Sequence, residues 1–132
     1  MTAMWAVQKS LYNALSSSST FMAKISNALY DEPPTNSPFP YVTIGNMTEA
    51  TDNRLNNVKG YLVTLELMIF TDTGRGGYKL AKEILEIANN TINLNRFAID
   101  GFNMVQCKYT YSSTERDDDK RMIIANYDII CH

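Results

Sequence analysis

Between Tyr61 and Phe70, apolar side chains recur at every second position. Tyr61, Val63, Leu65, Leu67 and Ile69 share one side of an extended strand and make it wholly apolar. The opposite side, with Leu62, Thr64, Glu66, Met68 and Phe70, is mixed but too apolar for an ordinary solvated sheet surface, so the strand calls for cover on both faces. The last strand, Arg121 to Cys131, repeats the pattern. Ile123, Ala125, Tyr127, Ile129 and Cys131 fall on one side, while Met122, Ile124 and Ile130 crowd the other. Before it, Phe102 to Ser112 alternates so that Asn103, Val105, Cys107, Tyr109 and Tyr111 form the predicted core side. Phe97 to Ile99 with Asp100-Gly101 predicts a short strand and a turn.

Helical spacing governs two longer stretches. Ala3 to Leu15 sets Met4, Val7, Leu11, Ala14 and Leu15 against Gln8, Lys9 and Asn13, and Tyr78, Ala81, Ile84, Leu85, Ala88 and Ile92 line a second helix with Lys79, Lys82, Glu83, Glu86 and Asn90 outward. Between them, Ser19 or Thr20 is expected to cap a short helix holding Phe21, Met22 and Ile25. Asp31 to Pro40 contains all four prolines of the chain, which forbid helix and make a stiff connector into a strand at Tyr41-Val-Thr-Ile. Gly45 to Asn57 scatters Met47, Ala50 and Leu55 among polar residues and predicts a long loop, of the kind that is a plain connection, serves a function or orders on a partner. Ser112 to Arg121 predicts a charged hairpin tip. Asp72-Thr-Gly-Arg-Gly-Gly lacks the Gly-Lys-Ser/Thr ending of a phosphate-binding loop, so its glycines are read as turn residues with positive φ.

Composition narrows the function classes. A chain of 132 residues is one domain, 1–132, long enough to bury roughly 68% of its unfolded surface. Twelve basic and fourteen acidic residues, scattered to a net charge of −2, disfavour a duplex-binding or anionic-membrane surface. No apolar run approaches the roughly 20 residues of a membrane helix, and the N-terminus lacks the pattern of a signal peptide, so synthesis in a cytoplasm is expected. The predicted hairpin sets Cys107 opposite about Asn126 and Cys131 near Phe102, too far apart for a disulfide.

Candidate chemistry is sparse. The single histidine, His132, ends the chain, where a catalytic base or metal ligand is poorly held. Asp117, Asp118 and Asp119 are consecutive and point in different directions, unlike the alternating ligands of a calcium loop. Glu66 stands among apolar neighbours, and a cross-strand partner such as Lys108, or an interface arginine, explains it better than an acid site. No catalytic, cofactor or metal site is predicted. The order of elements predicts an α+β domain, a mainly antiparallel sheet of four or five strands with two main helices packed on one face.

The N-terminal helix, Ala28-Leu-Tyr-Asp, Pro-Phe-Pro-Tyr-Val-Thr-Ile, Val-Thr-Leu-Glu-Leu-Met-Ile-Phe-Thr and Gly-Gly-Tyr-Lys-Leu-Ala-Lys-Glu-Ile form a pattern over nearly the whole chain. Together they resemble the tail-completion proteins of long-tailed phages, a family of tail terminators and head-to-tail joining proteins. The resemblance implies a non-enzymatic virion protein that forms a ring, usually of six subunits, at the head-proximal end of the tail. That ring would contact the tail tube protein and the head connector or stopper, with DNA passing through its lumen without sequence-specific binding. Leu62, Glu66, Met68, Phe70, Met122 and Ile124 are then the candidate subunit interface. Glu49, Asp52 and Arg54, with Arg116, Asp117, Asp118 and Asp119 at the hairpin tip, are candidate contacts to tube or connector. The competing reading is a small host-interaction or inhibitor protein, which a monomer or simple dimer would favour over a closed ring.

Overall fold

In the computed structural model, which describes residues 3–52, 60–94, 99 and 101–132, the alternation around Leu65 becomes the middle of a sheet. The chain runs α1 (Met4–Ser16), α2 (Ser19–Lys24), β1 (Leu29–Tyr30), β2 (Tyr41–Asp52), β3 (Gly60–Asp72), a 3-10 turn (Thr73–Arg75), α3 (Gly77–Leu94), β4 (Met104–Asp117) and β5 (Lys120–Cys131). The five strands lie in the order β1-β2-β3-β5-β4, with β1 parallel to β2 and every other pair antiparallel. The α+β class and the mainly antiparallel sheet hold. The helices are two long ones and the expected short one between them: α3 lies on β3 and β5, α1 on β2 and α3, and α2 touches both other helices.

The core is built from the apolar alternation. Val63, Leu65, Leu67 and Ile69 of β3 stand opposite Ile129, Tyr127, Ala125 and Ile123 of β5, and all eight are buried. Helices supply the other half: Val7, Leu11 and Leu15 from α1, Phe21 from α2, and Ala81, Ile84, Ala88 and Ile92 from α3. Each such side chain contributes about 1.5–3 kcal/mol of burial when large and aliphatic. Tyr127, the largest fully buried side chain, donates its hydroxyl hydrogen to Asn89 Oδ1 on α3 and meets the Tyr109 ring edge-on at 5.6 Å. Burial pushes its phenol well above the usual range, with smaller contributions from Tyr109 and Cys107.

Helix ends are secured by different means. Ser18, rather than Ser19 or Thr20, caps α2, its Oγ accepting from Phe21 N at 3.3 Å. At the start of α1, where no side chain of the helix's own caps it, Ala3 N–H donates to Glu49 Oε1 at 2.5 Å. Thr71 is fully buried and donates its hydroxyl to Gly77 O at 2.8 Å, which ties the end of β3 to the start of α3.

Two loop predictions are overturned by strands. The segment expected to be loop from Gly45 onward is strand as far as Asp52, paired with β3 down to Gly60. A bulge between Ile44 and Met47 inserts one extra residue, so the core-facing residues change from even (Val42, Ile44) to odd (Met47, Glu49). At the far end, β4 and β5 stay paired as far as Asp117 and Lys120, so the expected tip shrinks to Asp118 and Asp119. Asp118 takes the positive φ, 53°, that a two-residue hairpin turn requires. The short strand expected at Phe97 falls largely outside the described residues; Ile99 makes an isolated bridge to Phe102.

Neither cysteine sits where the expected register put it. Cys107 lies opposite Ile129 and Cys131 opposite Met104, and both thiols are free. Burial pushes the Cys107 thiol up to about 11 from 9.0, and burial followed by the Glu49 charge raises Cys131. For Cys107, a folded-state value above the unfolded one means that its contribution to stability is complete below about pH 9 and is lost as pH rises toward 11. Alkylation of Cys107 at pH 8 is expected to run about 100-fold slower than that of a free cysteine. Mass spectrometry against time measures it, and labelling at the free rate would contradict the burial.

Candidate assembly surface

Pairing register carries the even-numbered residues of β3 and β5 onto the sheet face opposite the core. Successive rows across it read Ala50, Leu62, Ile130 and Gln106; then Thr48, Thr64, Asp128 and Lys108; then Glu66, Asn126 and Tyr111; then Tyr30, Thr43, Met68, Ile124 and Ser113; then Tyr41, Phe70, Met122 and Glu115. The structure thus brings Leu62, Glu66, Met68, Phe70, Met122 and Ile124 together on one surface, each half-buried, beside Thr43, Asn126 and Ile130, which are buried. The surface is apolar toward both ends and polar in the middle. There Thr64 donates its hydroxyl to Asp128 Oδ1 at 3.0 Å. Lys108 stands opposite Asp128 on β4, with β5 between it and β3, so it is not the cross-strand neighbour of Glu66; Asn126 is.

Local irregularities shape this face. At the bulge, Gly45 lets Met68 lie across the backbone of β2, since a Cβ there would come within 2.8 Å of Met68 Sδ. In β4 a second bulge between Tyr109 and Tyr111 turns Tyr111 from the expected core side to this face, where it is 62% exposed. One corner is aromatic: the Tyr41 ring stacks on Phe70 at 4.6 Å and on Phe39 at 5.4 Å. Arg75 Nη1 holds that corner by donating to Phe39 O at 2.9 Å. Phe39, Tyr41, Phe70 and Met122 floor a cleft of about 260 Å³ whose rim carries Glu115, Arg116, Asp117, Lys120 and Arg121.

The residues expected to touch tube or connector separate into two groups. Asp52 closes β2 at the Gly60 end of β3; Arg54 and the side chain of Asp52 lie outside the described residues. Glu49 near that end faces the helices and is engaged at Ala3 N. The hairpin tip lies beyond the other end of β3, where Asp72 pairs with Lys120. Asp117, Asp118 and Asp119 are exposed there, and Asp119 O accepts from Thr73 N at 2.8 Å. Arg116 and Arg121 face each other across the hairpin with the Tyr78 ring 5.7 and 5.6 Å from their guanidinium carbons. Among the described residues no group of side chains is placed to hold a metal ion, and no helix is long and apolar enough to cross a membrane.

Sequence reasoning missed a further feature. Trp5 and Tyr12 of α1 are 65% and 39% exposed and lie on one stripe with Gln8 and Lys9. Their spacing of seven, on the side of the helix away from Val7 and Leu11, is the signal that could have found them.

Residues 9–131 match the family model described as tail completion protein gp17. No curated protein matches the sequence. A chain of a solved structure, described as the virion of a native gene transfer agent (GTA) particle, superposes with a TM-score of 0.85. The two are 19% identical, over 98% of this chain and 97% of that one. At that identity the likeness establishes the fold. The family pattern, by contrast, runs from within α1 to the last residue of β5, and on that ground the protein belongs to the tail completion protein gp17 family.

Proposed function

We propose that the protein is a structural component of a phage-type virion, forming a ring of six subunits at the head-proximal end of the tail. There it ends the tail tube and joins it to the head connector. The observation that carries this reading is the open sheet face, where Leu62, Met68, Phe70, Met122 and Ile124 lie together with no helix over them among the described residues. Surfaces of that kind mark contacts with other proteins. Rings arise when two different patches of the same chain meet and the rotation closes, and a domain with a helix layer on one side and an open sheet on the other has such patches. The separation of Asp52 from the hairpin tip, at opposite ends of β3, suits a part that touches the tube at one end and the connector at the other. Were the tip to face the lumen instead, Asp117 to Asp119 would keep negative charge toward passing DNA, and neutralising all three would slow DNA ejection.

Particles made without the protein test it. Expected are overlong tails if it ends the tube, or normal tails that fail to join heads if it makes the junction, with electron microscopy of wild-type particles showing its density at the neck. Complete, DNA-filled particles in its absence would refute the reading.

A further inference from the structure

Cations from two elements converge on one tyrosine. The ammonium nitrogen of Lys82 and the guanidinium carbons of Arg116 and Arg121 lie 5.8, 5.7 and 5.6 Å from the centre of the Tyr78 ring. Helix α3 supplies Tyr78 and, one turn on, Lys82, while the hairpin of β4 and β5 supplies the two arginines from paired positions. We infer that this cluster is a carboxylate-binding site whose occupant is an acidic segment of a partner protein. The inference deepens the neck reading, in which the hairpin end of the sheet meets the tube or the connector, and rests on it for where that partner stands.

Charge calls for this occupant. Among the described residues no carboxylate forms an ion pair with any of these cations; Glu83, beside Lys82 in the chain, is taken by Lys24 at 3.1 Å. Arg121 spends Nη1 on the carbonyl oxygens of Asp118 and Lys120, both at 2.8 Å, which fixes its place and leaves its charge unbalanced. An aromatic face carries only partial negative charge, too little to balance a group of full cations. The first turn of α3 holds no acidic residue, so the positive end of the helix dipole adds to the same sign. The Tyr78 hydroxyl makes no hydrogen bond among the described residues and is a further donor for an anion. Lys82 and Arg116 are exposed and Arg121 is half-buried, so the cluster is open to solvent, and the guanidinium fork suits a carboxylate.

Neighbouring charges choose between anions. Asp117, Asp118 and Asp119 follow Arg116 along the hairpin and are exposed. A nucleic acid, with a phosphate at every step of its backbone, would have to run past them. A protein segment can set one or two carboxylates on the cations and turn away.

Fluorescence anisotropy of labelled hexaglutamate at low ionic strength tests the site. Wild type is expected to bind the peptide. Lys82→Gln is expected to weaken binding about threefold, Arg116→Gln with Arg121→Gln about 30-fold, and Lys108→Gln, exposed on the open sheet face, to leave it unchanged. Thermal melts check folding, and Lys82→Gln, at an exposed helix position, carries the test if the arginine variant unfolds. Wild type that does not bind, or a loss in Lys108→Gln equal to that in Lys82→Gln, overturns the site. Duplex DNA that binds as tightly and is lost in the same variants assigns the cluster to phosphate and overturns the acidic protein partner. The neck reading survives each of those results. It falls if complete particles form without the protein, in which case hexaglutamate binding that is lost in the cluster variants still supports the site.

Discussion

Replacing Tyr127 by alanine is expected to destabilise the protein by about 3–5 kcal/mol, a large share of the ~5–15 kcal/mol that holds a domain of ordinary stability. The phenol ring is fully buried between β5 and α3, edge-on to Tyr109. Its removal leaves a cavity between β5 and α3 and strands Asn89 Oδ1 without its donor. Tyr127→Phe separates the two effects. It keeps the ring and deletes only the hydroxyl, and its expected cost is about 1–3 kcal/mol for the acceptor left unpaired. Urea unfolding of the three proteins gives the comparison. If the alanine variant loses less than the phenylalanine one, the side chain does not sit where it is placed.

Gly76→Ala is expected to cost about 2–4 kcal/mol, although the residue lies in an exposed turn. Two separate penalties combine. Gly76 has φ of 94°, in the region that L-residues adopt only with strain, and a Cβ there would lie 2.5 Å from the Cβ of Leu80. The neighbouring Gly77 isolates the first penalty: its φ is 52°, but a Cβ would meet nothing within 4 Å, so Gly77→Ala is expected to cost only about 1–2 kcal/mol. Thermal and urea midpoints of the pair measure the difference. Equal losses would show that the collision with Leu80 is relieved by a small shift of α3.

This turn was legible in the sequence because glycine has one common reason to repeat before a helix. The core was legible for a similar reason. Period-two alternation in β3 and β5 and period-3.6 spacing in α3 state directly which side chains face inward, and Tyr61 to Ile69 are buried at every odd position. Legibility failed where the period itself changes. The bulge after Ile44 shifts the inward side by one residue, so Met47 and Glu49 continue the core side of β2 while the text of the sequence looks like a polar loop. The bulge after Tyr109 does the same to Tyr111. At the hairpin, Ser112 to Asp117 are polar on both sides because β4 is an edge strand that needs no apolar residues there, so the strand has the composition of a loop. The interface set Leu62 to Ile124 shares one face by the same alternation, whereas Trp5 and Tyr12 lie on the side of α1 that amphipathic spacing assigns to solvent.

The hairpin tip is braced twice, by the Thr73 N to Asp119 O bond and by Arg116 and Arg121 on the Tyr78 ring. The tip and the first turn of α3 are therefore tied to one another, and Tyr78 stands one helical turn before Ala81 and two before Ile84, whose side chains lie in the core.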